Sequence, residues 1–205
     1  MIPLALPSPS RAALRGWRLV VLFTLALLVA SAVAFLASGG GTDGLRAVIR
    51  LTARTSLVFF LLSFTASSLA RLAPSPATRW LIANRRPLGL SFAASHAIHL
   101  AAIIALVRAD QALFWQLSTM GSVISGSTTY AVILVMAATS SDAALRWLGP
   151  AVWRHIHLWG AWYVWLSFVF TNGKRVPMSL WYLVPVALLL AAVAARLAAR
   201  LRSRR

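Results

Sequence analysis

The chain has no cysteine, and this absence removes several chemistries at once. It excludes disulfides, thiolate metal sites, iron–sulfur clusters and a cysteine nucleophile. Any bound metal must therefore be held by nitrogen or oxygen, and histidine is the best ligand that remains.

Acidic residues are also scarce. Three Asp+Glu stand against twenty Lys+Arg, which gives a formal net charge of +17 at pH 7. Charged residues make up only 11% of the chain, 60% of it is hydrophobic, and the mean hydropathy is +0.80. This composition excludes a soluble domain and indicates an integral membrane protein, whose positive charge we expect to meet membrane lipids and not nucleic acid.

Apolar segments of about 20 residues, the length that crosses a bilayer, recur along the chain. They cover residues 19–38, 51–70, 88–107, 117–139, 151–170 and 180–195. We predict an all-α integral membrane protein, a six-transmembrane-helix bundle over residues 19–195, with a basic cytoplasmic N-terminus (1–18) and a polybasic cytoplasmic tail (196–205). The first segment has one alternative, a secretory signal, but it is longer than the usual apolar core of about 7–15 residues.

The positive residues predict the orientation. With the N-terminus inside, fourteen of the twenty Lys+Arg fall on the cytoplasmic side. The other side keeps Arg46, Arg50, Arg54, Arg108, Lys174 and Arg175. We therefore expect a multi-pass protein of the bacterial inner membrane with both termini in the cytoplasm.

The four histidines form two close pairs, His96/His99 and His155/His157, in or beside apolar segments three and five. An ionisable group inside a bilayer needs a partner, so each pair is a candidate functional site. A b-type haem held by one imidazole from each helix is one interpretation. Intramembrane zinc is another, although zinc usually takes three or four protein ligands. Hydrogen bonds between helices are the third.

Three short segments between residues 52 and 170 carry a family resemblance. Residues 61–69 are an apolar helix with a Ser/Thr-rich end. The run Asn84-Arg85-Arg86-Pro87-Leu88-Gly89-Leu90 precedes His99 by nine residues, and the run from Thr139-Ser140-Ser141-Asp142 through Leu148-Gly149 ends in Trp153-Arg154-His155-Ile156-His157. These segments resemble the ferric-reductase-like transmembrane domain family, and within it the MsrQ-type haem-binding membrane subunit of methionine-sulfoxide reductase systems.

The resemblance implies His99 and His157 as the axial ligands of one haem b. It gives no role to His96 or His155. Counted from the outer helix ends, His99 and His157 differ in depth by six residues, or about 9 Å, and ligation by His96 in place of His99 would halve that difference. The family often has a second histidine thirteen residues after the one at His157, and here that position is Phe170.

The function implied is electron transfer across the inner membrane, from a cytoplasmic flavin reductase or a quinol to a periplasmic acceptor such as a reductase partner. The chain has no Gly-rich dinucleotide fingerprint, so the electrons must come from a partner or a quinol, with FMN or quinone as further cofactor candidates. The rival hypothesis is a small haem-free permease or scaffold.

Overall fold

The computed structural model describes residues 16–203. Most of the predicted basic N-terminus (1–18) and the last two residues of the predicted tail (196–205) therefore lie outside the described residues. The helices are α1 (Trp17–Ala37), α2 (Gly41–Leu72), α3 (Pro76–Ala83), α4 (Arg85–Ala109), α5 (Gln111–Leu117), α6 (Met120–Ala138), α7 (Asp142–Gly173) and α8 (Leu183–Arg202), with a 3-10 turn at Leu180–Tyr182. Residues 16–203 contain no strand, which agrees with the all-α prediction.

Five of the six predicted segments lie in helices long and apolar enough to cross a membrane, namely α1, α2, α4, α6 and the stretch Leu180–Arg202. The remaining predicted segment, residues 151–170, lies inside α7, and α7 is not among the helices that meet these criteria. Its histidines, arginine and tryptophans lower the hydropathy of α7, so the count of six is not confirmed by length and composition.

Local sequence explains where the helices begin and break. Gly39, Gly40 and Gly41 all have positive φ, which lets the chain turn tightly, and α2 starts ten residues earlier than predicted. At the start of α3, Ser75 and Thr78 form a reciprocal capping box with Pro76 at the first turn. Inside α7, Gly149 has φ 75° just before Pro150, so the helix is broken there and resumes towards His157.

The helices define two ends of the bundle. The Asp142 end is where α2, α6 and α8 finish and where α1, α4 and α7 begin, and the Arg108 end is the opposite one. Helix α2 is central, because it packs against α1, α4 and α8, while α6 and α7 form a second close pair. The backbones of α4 and α7 hardly approach each other, and the space between them is where the candidate site lies.

Candidate functional site

A cavity of about 730 Å³ opens at the Asp142 end of the bundle. Its walls come from α2, α4, α6, α7 and α8, with a contribution from α3. Cofactor and ligand sites commonly measure about 300–1,000 Å³, so this cavity has the size of a cofactor site.

His157 supplies an imidazole to the cavity wall, and its neighbours fix its orientation. The indole of Trp153 stacks on its ring with centroids 4.3 Å apart, and Trp153 Nε1 donates to the Thr139 carbonyl oxygen at 2.8 Å. The Thr139 hydroxyl donates to the Val135 carbonyl oxygen at 2.7 Å, so it can only accept from His157 Nε2–H, 3.2 Å away. A neutral His157 then keeps its Nδ1 lone pair free, as a metal-binding imidazole with an anchored second nitrogen does.

Aromatic rings from α2 and α4 form the apolar wall opposite His157. Phe60 lies 5.1 Å from Phe64 and 5.6 Å from Phe92, measured between ring centroids, and all three line the cavity. Gly89 and Ala93, whose side chains are absent or small, also line the cavity. This wall can take a flat apolar ligand.

Cations dominate the mouth of the cavity. Six arginines line it, Arg71, Arg85, Arg86, Arg154, Arg196 and Arg200, together with a single acid, Asp142. Asp142 is paired with Arg86 at 2.8 Å, which leaves the other five without a carboxylate among the lining residues. Such an arrangement favours a ligand that carries acidic groups.

The other two predicted ligands, His96 and His99, lie outside this cavity. Their rings are 5.5 Å apart, and the His96 ring packs against Tyr130 at 5.4 Å and Phe168 at 5.9 Å. Aromatic side chains thus fill the space around His96. Within residues 16–203, neither His96 Nδ1 nor the Tyr130 hydroxyl has a hydrogen-bond partner, although both atoms are buried.

His99 belongs to a polar seam between α2 and α4. Its Nδ1 is 2.9 Å from the Thr52 hydroxyl, which donates to the Val48 carbonyl oxygen at 2.7 Å and so accepts from Nδ1–H. One turn away, Ser95 is hydrogen-bonded to Ser56 at 2.8 Å and to Thr55 at 3.1 Å. This seam stabilises the close packing of α2 on α4, as interhelical hydrogen bonds do in membranes.

The two imidazole sites lie at different depths. His96 is level with Tyr130 on α6, and His157 is level with Thr139, which follows α6 directly. The nine residues between Tyr130 and Thr139 correspond to about 13 Å at 1.5 Å per residue. Along α7, Phe168 and His157 are eleven residues or about 16 Å apart. His99 lies a further turn towards the Arg108 end. The structure therefore does not bring His99 and His157 together, and the offset exceeds the one counted from the sequence.

His155, which the resemblance left without a role, is exposed on α7, and its Nδ1 lies 2.8 Å from the Ala151 carbonyl oxygen. Among residues 16–203 no group of three or more His, Cys, Asp or Glu side chains comes together to hold a metal ion. The zinc alternative needs such a group. The lining of the cavity instead suits a ligand that is largely apolar and carries acidic groups.

Sequence reasoning missed Arg196 and the aromatic wall. Arg196 was counted in the predicted tail, but α8 continues to Arg202 and Arg196 lines the cavity. The available signal was an isolated cation directly after a long apolar run, with another cation one turn later. Phe60, Phe64 and Phe92 carry no motif, because only the packing of α2 on α4 brings them together.

No protein-family model matches the chain, and no solved structure matches it. A curated relative does: the protein-methionine-sulfoxide reductase heme-binding subunit MsrQ of Azospira oryzae is 31% identical over 124 residues, which cover 57% of this chain and 50% of the relative. The match thus spans about half the length of that relative. It confirms the resemblance predicted from the motifs, namely that the chain is similar to MsrQ-type haem-binding membrane subunits.

Proposed function

We propose that this protein is a membrane electron-transfer subunit that binds one haem b in the cavity at the Asp142 end. The observation that carries the proposal is the composition of that cavity: one anchored imidazole, an aromatic wall and five arginines without a lining carboxylate. The similarity to a haem-binding MsrQ subunit supports it independently.

Each part of the cavity has a role in this proposal. Haem supplies a centre that gains and loses one electron at a time. His157 would bind the haem iron, and Thr139 would anchor the second nitrogen of its ring. Phe60, Phe64 and Phe92 exclude water from the apolar part of the ring, and the arginines balance the acidic groups at its edge.

His99 as an axial ligand stays a prediction. An iron and its two protein nitrogens span only about 4 Å, so joint binding by His99 and His157 would require α4 and α7 to shift relative to each other. We therefore assign the cavity haem to His157. His96, level with Tyr130, is likewise too distant to share that iron.

The proposed electron path rests on the resemblance to haem-binding subunits and on the position of the arginines at the Asp142 end. Electrons would enter at the Arg-rich Asp142 end from a soluble flavin reductase or a quinol and leave towards a periplasmic acceptor. The cluster Phe60, Phe92, Phe168 and His96 forms a continuous series of ring contacts of 4.9–6.1 Å from the cavity towards the Arg108 end. FMN or quinone as a second cofactor stays a prediction.

A difference spectrum tests the proposed function. The full chain, purified in detergent, is expected to show a b-type spectrum when reduced with dithionite and about one haem per chain by the pyridine haemochrome method. A preparation that stays colourless after supplementation with haemin would contradict the proposal and favour a haem-free permease or scaffold.

We further propose six membrane spans, with α7 as the fifth of them in chain order, and both termini in the cytoplasm. The absence of native cysteine makes single-cysteine labelling clean. We expect Trp147→Cys and Ser203→Cys in inverted vesicles to react with an impermeant maleimide, and Ser38→Cys and Met178→Cys to react in intact cells. Labelling of Met178→Cys on the same side as Trp147→Cys would show that α7 does not span.

A further inference from the structure

Arg196 is a cation held rigidly in the wall of the cavity. One of its guanidinium N–H groups donates to the Phe64 carbonyl oxygen at 2.8 Å. Its guanidinium carbon lies 4.1 Å from the centroid of the Phe64 ring and 5.4 Å from that of Trp162. These contacts tie α8 to both α2 and α7, and they orient the side chain before any ligand arrives.

The charge of Arg196 is not balanced by a carboxylate. Within residues 16–203 the two ion pairs are Arg46 with Asp43 and Arg86 with Asp142. A guanidinium has five N–H donors, and only one of those on Arg196 is used. An ionised group in a membrane-spanning helix is costly unless it is paired, so an unpaired and pre-oriented arginine that lines a cavity indicates an anionic ligand.

We propose that Arg196 binds a carboxylate of the ligand in the cavity, which on the proposed function is a propionate of haem. Arg196 is distinct from the other lining arginines. Arg86 already has Asp142, and Arg200 is exposed one turn nearer the helix end. Arg196 also lies outside the segments that carry the family resemblance, so its assignment depends on the structure alone.

The experiment removes the carboxylates of the ligand and the guanidinium of Arg196 in turn. The apo protein in detergent is titrated with haemin and with haemin dimethyl ester, in which both propionates are blocked, using the wild-type chain and Arg196→Gln. We expect the wild type to bind haemin about 10- to 100-fold more tightly than the ester, the range of a charge-assisted hydrogen bond, and Arg196→Gln to lose most of that preference. Arg196→Lys should keep part of it because the charge remains.

Arg202→Gln is the matched control. Arg202 lies on the same helix and donates to the Leu72 carbonyl oxygen, but it does not line the cavity, so this variant should keep the wild-type preference. If Arg196→Gln is as selective as the wild type, or if the wild type binds the ester as tightly as haemin, the assignment of Arg196 is overturned while haem binding stands. If the wild type binds neither compound, the proposed function itself fails.

Discussion

Replacing His157 with alanine is expected to abolish stable haem binding. Loss of a group that merely orients a metal ligand commonly weakens metal affinity by about 10–100-fold, so loss of the ligand itself should cost on the order of 100-fold or more. The measurement is haem per chain after purification, followed by titration of the apo variant with haemin. His157→Gly with added imidazole should recover the spectrum, because the free base can occupy the vacated position.

His155→Ala is the control for this prediction. His155 is two residues away on the same helix, exposed, and bonded only to its own helix backbone. It should keep the haem content and affinity of the wild type. Haem content that falls equally in both variants would indicate disruption of α7 rather than loss of a ligand, and full haem content in His157→Ala would contradict the assignment of His157.

Most of the fold could be predicted from the sequence because membrane-spanning helices follow from length and hydropathy. Five predicted segments lie in helices that meet those criteria. Helix α7 shows the limit of this reasoning: the residues that make it a candidate site, His157 and its neighbouring tryptophans and arginine, also lower its hydropathy. The break at Gly149 is a second limit, because hydropathy does not indicate the positive φ that this residue adopts before Pro150.

The depth of the histidines could be predicted less well. Counting residues from the helix ends assumes that the helices finish at one level and are equally tilted, and this gave about 9 Å between His99 and His157. Contacts with α6 and its C-terminal cap remove that assumption, because Tyr130 and Thr139 mark the two levels along one helix and its end. At the level of His96 the space is filled by Phe168 and Tyr130.

The cavity and its charge depended on packing and could not be read from any single segment. Six elements contribute to its walls, among them α4 and α7, whose backbones hardly approach each other. Arginine-rich stretches are common at membrane surfaces, where they contact lipid phosphates. Only the placement of Arg196 against Phe64 and Trp162 separates it from that general role.

The wall opposite His157 determines the second large prediction. Haem iron in proteins is commonly held by His, Met, Cys or Tyr. Among the residues that line the cavity, the only ones of these types are His157 and Met136. Met136 belongs to the same α6–α7 wall as His157, since its sulfur packs where a side chain on Gly160 would lie. The facing wall offers Phe64, Gly89 and Ala93, so it provides no second ligand to the iron.

We therefore expect the reduced haem protein to bind carbon monoxide stoichiometrically, with a large change in its visible spectrum, because the α2 and α4 residues that line the cavity include no second ligand. His99→Leu should bind haem and carbon monoxide like the wild type, since His99 lies about 13 Å or more from the level of His157 along the bundle.

A six-coordinate, low-spin spectrum that carbon monoxide does not alter would contradict this prediction. Conversion to a carbon monoxide-binding form by His99→Leu would then identify His99 as the second ligand and require α4 and α7 to shift relative to each other, whereas conversion by Met136→Leu would identify the thioether. Met120→Leu, a change at an exposed methionine on the same helix, is the matched control for the second case.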